Sequence, residues 1–377
     1  MALRIATFNV ENLYARFDFS GKVARQNRVV GSYAIEDAQE YDLVRKAYEA
    51  VLSDDMRQIT ALAIAETDAD VVCLQEIDDQ VALDLFYENY LRPVLRQRFA
   101  QGVKELDRDL RERVASNWFY DHRRVIAGND TRGIDVGVMS RFPIDVVSNA
   151  GLTLDFLNGA ALDWETLEPL AATRGRKIFP RDCVEIEVAT PFGPLVAFNC
   201  HFKSMQPLTR GGDGRLDTRT LRQAEAFAVR KIVERRFGGE EAARAADWVI
   251  CGDLNDYGEI DGEIVAGGAL APLLADGFAV DPAQRLPPRE RWTHYFTSED
   301  AYVQLDYVLL SPALAARDPQ ALPQIVRKGQ PHRVPRLEGA RRYPRVGWAR
   351  PKASDHCPMV MPLQLAGAPA GLITSPV

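Results

Sequence analysis

Short apolar, β-rich runs recur along this chain from residue 3 to about residue 365, with helical stretches between them. Runs rich in Val, Ile and Phe predict strands near Leu3 to Phe8, Asp70 to Gln75, Ile134 to Ser140, Ile144 to Ser148 and Cys183 to Ala189. Others follow near Leu195 to Cys200, Trp248 to Cys251, Leu305 to Leu310 and His356 to Leu365. Leu43, Ala47, Val51, Ile59 and Ala63 give Tyr41 to Glu66 a helical spacing, with Ser53-Asp54-Asp55 as a break or a second cap. Asp79 to Val114 reads as a second helical zone interrupted at Pro93, and Asp217 to Phe237 as a third, stopped by Gly238-Gly239. No linker or internal repeat divides the pattern. It predicts one α/β domain over 1–365, two packed sheets with helices outside, with insertions at about 14–57, 203–222 and 327–352. Residues 366–377 read as a flexible tail.

The apolar fraction of 46% and charged fraction of 26% suit a globular chain of 377 residues. Cys73, Cys183, Cys200, Cys251 and Cys357 form no C-x-x-C pair and lie mostly in apolar runs, which predicts buried reduced thiols. Arg4 precedes a strand-like run instead of a signal-type apolar core, and no apolar stretch approaches membrane-spanning length. The expected location is cytoplasmic, without a membrane anchor.

A net charge of −7 argues against wholesale wrapping by nucleic acid, but the charge is uneven. Gly31 to Tyr90 holds 15 acids and 3 bases, whereas Arg327 to Lys352 holds 9 bases and 1 acid. The second stretch carries four prolines and reads as a long loop. It is either a clamp for a polyanion, which its place in the sequence favours, or a solvated loop whose arginines pair with the acidic stretch. Lys203 to Arg222, with Gly211-Gly212-Asp213-Gly214, reads as a mobile substrate-facing loop.

Polar residues at the run ends carry the candidate chemistry. Glu76 follows Val71-Val72-Cys73-Leu74, and Asn9 ends the first run. A hard divalent cation needs only one or two such carboxylates, with water and substrate oxygens completing its shell. Asp253 and Asn255 follow Trp248 to Gly252; a period of two places both on one strand face, while an Asx turn is the plain structural alternative. His201 and His356 flank apolar runs, and Asp306 is a candidate orienting partner for an imidazole. His122, His294 and His332 read as structural.

In order, Thr7-Phe8-Asn9-Val10-Glu11-Asn12, Leu74-Gln75-Glu76, Arg132-Gly133-Ile134-Asp135-Val136, Asn199-Cys200-His201-Phe202-Lys203-Ser204, Gly252-Asp253-Leu254-Asn255, Leu305-Asp306-Tyr307-Val308-Leu309 and Ser354-Asp355-His356 span nearly the whole chain. Together they resemble the endonuclease/exonuclease/phosphatase superfamily, which contains deoxyribonuclease I, exonuclease III and inositol polyphosphate phosphatases. The resemblance implies a four-layered α/β sandwich, with two mixed sheets face to face and helices outside. It implies a Mg²⁺- or Mn²⁺-dependent phosphodiesterase in which Glu76 is the principal metal ligand, Asn9 its neighbour and Asp355 a further carboxylate beside the metal. Asp253 then positions or deprotonates water, Asn255 contacts phosphate, and His356, oriented by Asp306, serves the transition state. His201 stabilises the phosphate or leaving group, and Arg132 and Lys203 are candidate phosphate contacts, with a salt bridge to Asp130 or Asp135 as the alternative for Arg132. Phe8-Asn9 departs from the Trp-Asn core of exonuclease III-like repair enzymes, which counts against abasic-site repair. The basic loops favour nucleic acid as substrate. A phosphomonoesterase, an inositol-type phosphatase or an inactive binding protein on the same scaffold are the alternatives. The sequence gives no oligomeric state.

Overall fold

Every apolar run named above forms a strand, and these strands divide between two sheets. The computed structural model describes residues 3–13, 37–40, 54–102, 118–130, 132–172 and 175–367. Most of the 14–57 insertion, the helical stretches expected over 41–53 and 103–114, and the tail past 367 lie outside the described residues.

The first sheet orders Gln324–Ile325 (β14), Met359–Leu363 (β15), Leu3–Leu13 (β1), Val71–Ile77 (β2), Asp135–Ser140 (β4) and His122–Ile126 (β3) side by side. The second orders Asp306–Leu310 (β13), Trp248–Asp253 (β8), Gly193–His201 (β7), Cys183–Thr190 (β6) and Ile144–Val147 (β5). Two hairpins stand apart, Glu259–Ile260 with Glu263–Ile264 (β9, β10) and His294–Phe296 with Ala301–Val303 (β11, β12). Both large sheets are mixed in the same way. A parallel pair, β1 with β2 or β7 with β8, is flanked by antiparallel neighbours.

The runs are almost wholly apolar because the central strands bury both faces. Ile5, Val71, Cys73 and Val138 meet Ile186, Ala197, Val249 and Val308 between the sheets. On the opposite faces, Phe8, Val72 and Leu74 pack on Ile59 and Ile64 of the helix Asp54–Thr67 (α1). Phe198, Trp248 and Ile250 pack on Val229 and Ile232 of the helix Arg219–Phe237 (α6). Helix, sheet, sheet and helix make the four layers.

Two sequence expectations are corrected. The helix does not stop at Pro93. Gln80–Phe86 (α2) runs through a π turn at Tyr87–Leu91 into Arg92–Gly102 (α3). A π turn loosens the hydrogen-bond ladder where a residue has no N–H to give. Within the segment 203–222, residues 206–211 are exposed, but the glycine at 214 is a packing contact. Gly214 lies so near Met205 that a Cβ would stand 2.0 Å from its carbonyl oxygen, and Arg222 is fully buried 3.8 Å from Asp256. That glycine serves close approach, whereas the sequence reading took it as a source of freedom. At the far end of α6, Gly238 adopts a left-handed cap at φ 82°, as its position predicts.

One polar bridge crosses the apolar layer between the sheets. Gln75 Nε2 donates to Asn199 Oδ1 at 2.8 Å, and Asn199 Nδ2 donates to the carbonyls of Gly137 at 2.8 Å and Leu74 at 3.2 Å. Thr7 Oγ1 meets the Gln75 amide at 3.2–3.3 Å. Truncation of Asn199 leaves these groups buried and unpaired. We expect Asn199→Ala to lower the unfolding free energy by about 1–3 kcal/mol, read by urea denaturation with an unchanged m-value. A loss below about 0.5 kcal/mol, the size of an ordinary surface change, would show that the bridge does not hold the sheets.

Candidate active site

The carboxyl ends of both parallel pairs face one another, and there the strands stop being regular. Register breaks between Asn9 and Leu13 in β1 and between Gln75 and Ile77 in β2. Glu11 (φ 50°), Asn12 (φ 59°) and Glu76 (φ 66°) take left-handed backbone at these breaks, and Asn255 (φ 49°) does so after β8. Each such non-glycine residue costs on the order of 1–3 kcal/mol, and such strain collects where a side chain must be aimed. Gly252 (φ 149°) lets β8 close on β7, since a Cβ there would stand 1.9 Å from the Cys200 carbonyl oxygen. The contact sets His201 opposite Asp253 in register.

Asp253 is the centre. Its Oδ2 accepts from Asn9 Nδ2 at 3.0 Å and lies 3.6 Å from His201 Nε2 and 3.8 Å from His356 Nε2. Its Oδ1 accepts from the Asn255 N–H at 2.9 Å. This Asx turn replaces the strand face expected for Asp253 and Asn255, because β8 ends at Asp253. The Asn255 side chain donates to the Phe202 carbonyl at 3.1 Å. Asn9 Nδ2 also donates to Glu76 Oε1 at 3.2 Å, and the Asn12 N–H donates to Glu76 Oε2 at 3.1 Å. His201 Nε2 stands 4.0 Å from Glu76.

His356 Nδ1 lies 2.8 Å from Asp306 Oδ2. Asp306 is fully buried and opposite Asp253 in register. Thr293 Oγ1 accepts from the N–H groups of Leu305 and Asp306, which fixes the start of β13. Ser354 Oγ donates to the Asn9 carbonyl at 2.7 Å, tying the Ser354-Asp355-His356 turn to β1.

The fold thus gathers Asn9, Glu76, His201, Asp253, Asn255, Asp306, Asp355 and His356. Arg132 and Lys203 stand beyond His201. Arg132 pairs with Asp130 at 2.8 Å, and Lys203 Nζ donates to the Ser204 carbonyl at 2.9 Å. Sequence reasoning missed His294, whose ring centre is 4.7 Å from that of His356 and which bridges it through the backbone. It also missed Lys352, buried with Nζ 2.9 Å from Glu11 Oε2, and Arg181, buried with Nη1 donating to the Phe202 carbonyl at 2.9 Å. The signals were faint. His294 sits on a three-residue strand, and the bases show their partners only after folding.

The basic segment 327–352 forms one wall. Gln330 Nε2 donates to the carbonyls of Ser354 and His356. Lys328 pairs with Glu66, Arg345 with Asp55, Arg336 with Asp261, and Arg350 and Lys352 with Glu11. Five of its nine bases are therefore engaged by carboxylates, two of them from the acidic stretch. Only Lys328 and Arg345 pair with the acidic stretch, so the pairing expected of a solvated loop is met in part.

Opposed forces set the protonation states. Burial pushes the Asp253 carboxyl up, with nearby Asp306 adding, against His356 and the Asn9 and Asn255 hydrogen bonds; the result is about 7. Burial pushes His201 well down, and Arg181, His356, Arg132 and Lys203 add to it, so this imidazole is neutral. For His356, burial alone would lower the value, but Asp306 and Asp253 outweigh it and raise it well above the ordinary histidine value. Burial and the adjacent His356 lower His294 to about 3.

The donor set fits a hard cation. Glu11, Glu76, Asp253, Asp306 and Asp355 crowd one basin, and Glu76 is the more open, with a side chain 20% exposed against 2% for Asp253. A second grouping, His294 with Asp355 and His356, keeps its ligand atoms within 4.8 Å of one another. Asp253, Asp306 and His356 form another such grouping.

The His356–Asp306 pair makes a signed expectation. The imidazole's folded pKa is raised, so its contribution to stability is complete below the unfolded value of about 6.5 and is lost as pH rises through the folded value. In metal-free protein, Asp306→Asn should bring the His356 titration, followed by imidazole NMR, down from its raised position. The stability gap between wild type and variant should be widest in acid. An unmoved His356 titration would show that Asp306 does not charge the imidazole.

The sequence profile of the endonuclease/exonuclease/phosphatase family matches residues 6–356. No curated protein matches the chain. Among solved structures, SmcL is 15% identical over 96% of this chain and 99% of its own, with a TM-score of 0.52. An endonuclease/exonuclease/phosphatase from Beutenbergia cavernae is 17% identical over 98% of this chain and 73% of its own, with a TM-score of 0.48. An AP endonuclease from Leishmania major is 15% identical over 96% of this chain and 87% of its own, with a TM-score of 0.46. At 15% identity the likeness to SmcL is one of fold. With the profile spanning both sheets and every strand end of the site, the chain belongs to the endonuclease/exonuclease/phosphatase family.

Proposed function

We propose that the chain is a divalent-metal-dependent phosphodiesterase that hydrolyses nucleic acid. The observation that carries this reading is Asp253, a buried carboxylate shifted to about 7 and held between Asn9, a neutral imidazole and a charged one. A base near pH 7 is well matched to taking a proton from water in neutral solution. Water attacks phosphorus, its proton passes to Asp253, and the bond to the leaving oxygen breaks. His356, protonated and oriented by Asp306, donates a hydrogen bond to a phosphate oxygen as charge grows there. His201 offers a second, neutral donor, and Asn9 keeps Asp253 and Glu76 in place. A Mg²⁺ or Mn²⁺ ion held by Glu76, Asn9 and Asp355 would supply Lewis-acid stabilisation of the phosphate oxygens. Asn255, bonded to the Phe202 carbonyl, shapes the phosphate wall, with Arg132 and Lys203 beyond it. Those bases favour a polyanion over a small phosphoester. No helix among the described residues is long and apolar enough to cross a membrane.

Hydrolysis of bis-p-nitrophenyl phosphate should exceed that of p-nitrophenyl phosphate, stop in EDTA and return with Mg²⁺ or Mn²⁺. Glu76→Gln, Asp253→Asn and His356→Ala should each lose about a hundredfold or more in kcat while retaining the wild-type melting profile. Faster monoester hydrolysis would make the chain a phosphatase. Absence of hydrolysis with any divalent ion, with plasmid DNA and RNA also left intact, would refute the enzyme reading.

A further inference from the structure

Trp348 stands out from the basic wall. It is 73% exposed, whereas Trp248 and Trp292 are buried and Trp118 and Trp164 are partly buried. The indole N–H groups of Trp118, Trp164 and Trp248 each donate to a backbone carbonyl. That of Trp348 has no hydrogen-bond partner among the described residues.

The turn beneath the ring is fixed. The Gly347 N–H donates to the Pro351 carbonyl at 2.9 Å. The carbonyls of Gly347 and Trp348 accept from the N–H groups of His332 and Arg333 at 3.0 and 2.9 Å. A Cβ at position 347 would stand 2.0 Å from the Arg350 carbonyl oxygen, so only glycine lets the turn close. Val346 and Ala353, on either side of the turn, are buried in the cluster that packs α1 on β1 and β2. The ring therefore meets water from a rigid base, and little order is left to lose when a flat ligand covers it.

The turn adjoins the carboxylate basin. Arg350 Nη2 and Lys352 Nζ each lie 2.9 Å from Glu11, whose carboxyl is pushed up by burial and by the nearby Asp355. No acid lies between Glu338 and Asp355. From Arg341 to Arg350 the exposed neighbours of the ring are three arginines and one proline. A membrane anchor or a protein-docking patch sets such a ring among other apolar side chains. A lone flat face among bases suits a nucleotide, whose base stacks on the ring while its phosphate stays near positive charge.

We propose that Trp348 is a stacking platform for an unpaired nucleobase of the substrate, next to the phosphate that is cleaved. The proposal rests on the phosphodiesterase reading and narrows the substrate to nucleic acid with a base free to leave its neighbours. A single strand offers such a base at every nucleotide, and a duplex offers one at an end or a gap. An inositol or lipid phosphate has no π face to offer.

Binding tests the platform apart from catalysis. Affinities are measured in EDTA, by competition in fluorescence anisotropy, for a short oligothymidylate and for an abasic deoxyribose-phosphate oligomer of the same length and charge. The oligothymidylate should bind about tenfold more tightly, the size of one base–aromatic stack. Trp348→Leu should remove that difference and Trp348→Phe should keep most of it. The abasic oligomer should bind all three proteins equally, with folding unaltered by circular dichroism. Equal binding of the two oligomers by wild type, binding of neither, or a difference that survives Trp348→Leu overturns the platform. So does an equal loss for both oligomers in Trp348→Leu, which would make the ring a support of the wall. Binding to phosphatidylcholine vesicles that needs Trp348, without a difference between the oligomers, would assign the ring to a lipid surface and overturn the nucleobase. Wild-type hydrolysis of bis-p-nitrophenyl phosphate, which carries no nucleobase, judges the phosphodiesterase reading separately.

Discussion

The amide bridge between Gln75 and Asn199 sets the level at which the two sheets meet, and the site stands directly on it. Thr7, Gln75 and Asn199 are buried polar groups within a mainly apolar layer. Such groups fix geometry because their hydrogen bonds have no substitute in an apolar surround. Asn9 lies two residues beyond Thr7, His201 two beyond Asn199, and Glu76 one beyond Gln75. Period two carries the inward direction from Thr7 to Asn9 and from Asn199 to His201. Glu76 would point outward by the same rule, and its left-handed backbone at the register break turns it back. A slip of either sheet would separate Asn9 on β1 from Asp253 on β8, and with it the contact that joins the halves.

Fixed in that way, the strand ends hold more negative charge than a closed protein site tolerates unaided. Lys352 and Arg350 engage Glu11, and His356 engages Asp306, whereas Glu76 accepts from the Asn9 amide and the Asn12 N–H. Backbone strain and charge excess therefore coincide at Glu76, the more open of the compared carboxylates. In the proposed reading a divalent cation would relieve this charge, and the left-handed backbone would aim the carboxylate at it. Strain stored here is offset by the continuous apolar burial of the strands behind it.

The strands were legible because the central ones bury both faces and so print as unbroken apolar runs. The pairing of His356 with Asp306 was legible too, each standing at the edge of such a run. What escaped was set by long-range contact. His294 looked structural, since a three-residue strand gives no periodicity, and only the bridge to His356 shows its place. Asp253 and Asn255 satisfied a period-two reading, but β8 stops between them and an Asx turn follows. Arg181 lies 21 residues from the peptide it supports, Phe202. The glycines of 211–214 looked like hinges, whereas Gly214 is a point of contact with Met205. Composition reports that a residue can turn, not whether its neighbour demands it.

The two imidazoles facing Asp253 show why a single carboxylate needs both. His201 and His356 lie at 3.6 and 3.8 Å from the same oxygen and are almost equally buried, yet burial wins at one and loses at the other. The difference is the far side of each ring. Behind His356 stands Asp306, fully buried, which stabilises the cation; around His201 stand Arg181, Arg132 and Lys203, which oppose it. Two cationic imidazoles would hold Asp253 ionised too firmly to accept a proton, and two neutral ones would leave a phosphate oxygen without a charged donor. Burial keeps Asp253 near 7, with one charged donor, His356, beside it. The basic residues beyond His201 thus add to the burial that keeps that imidazole neutral.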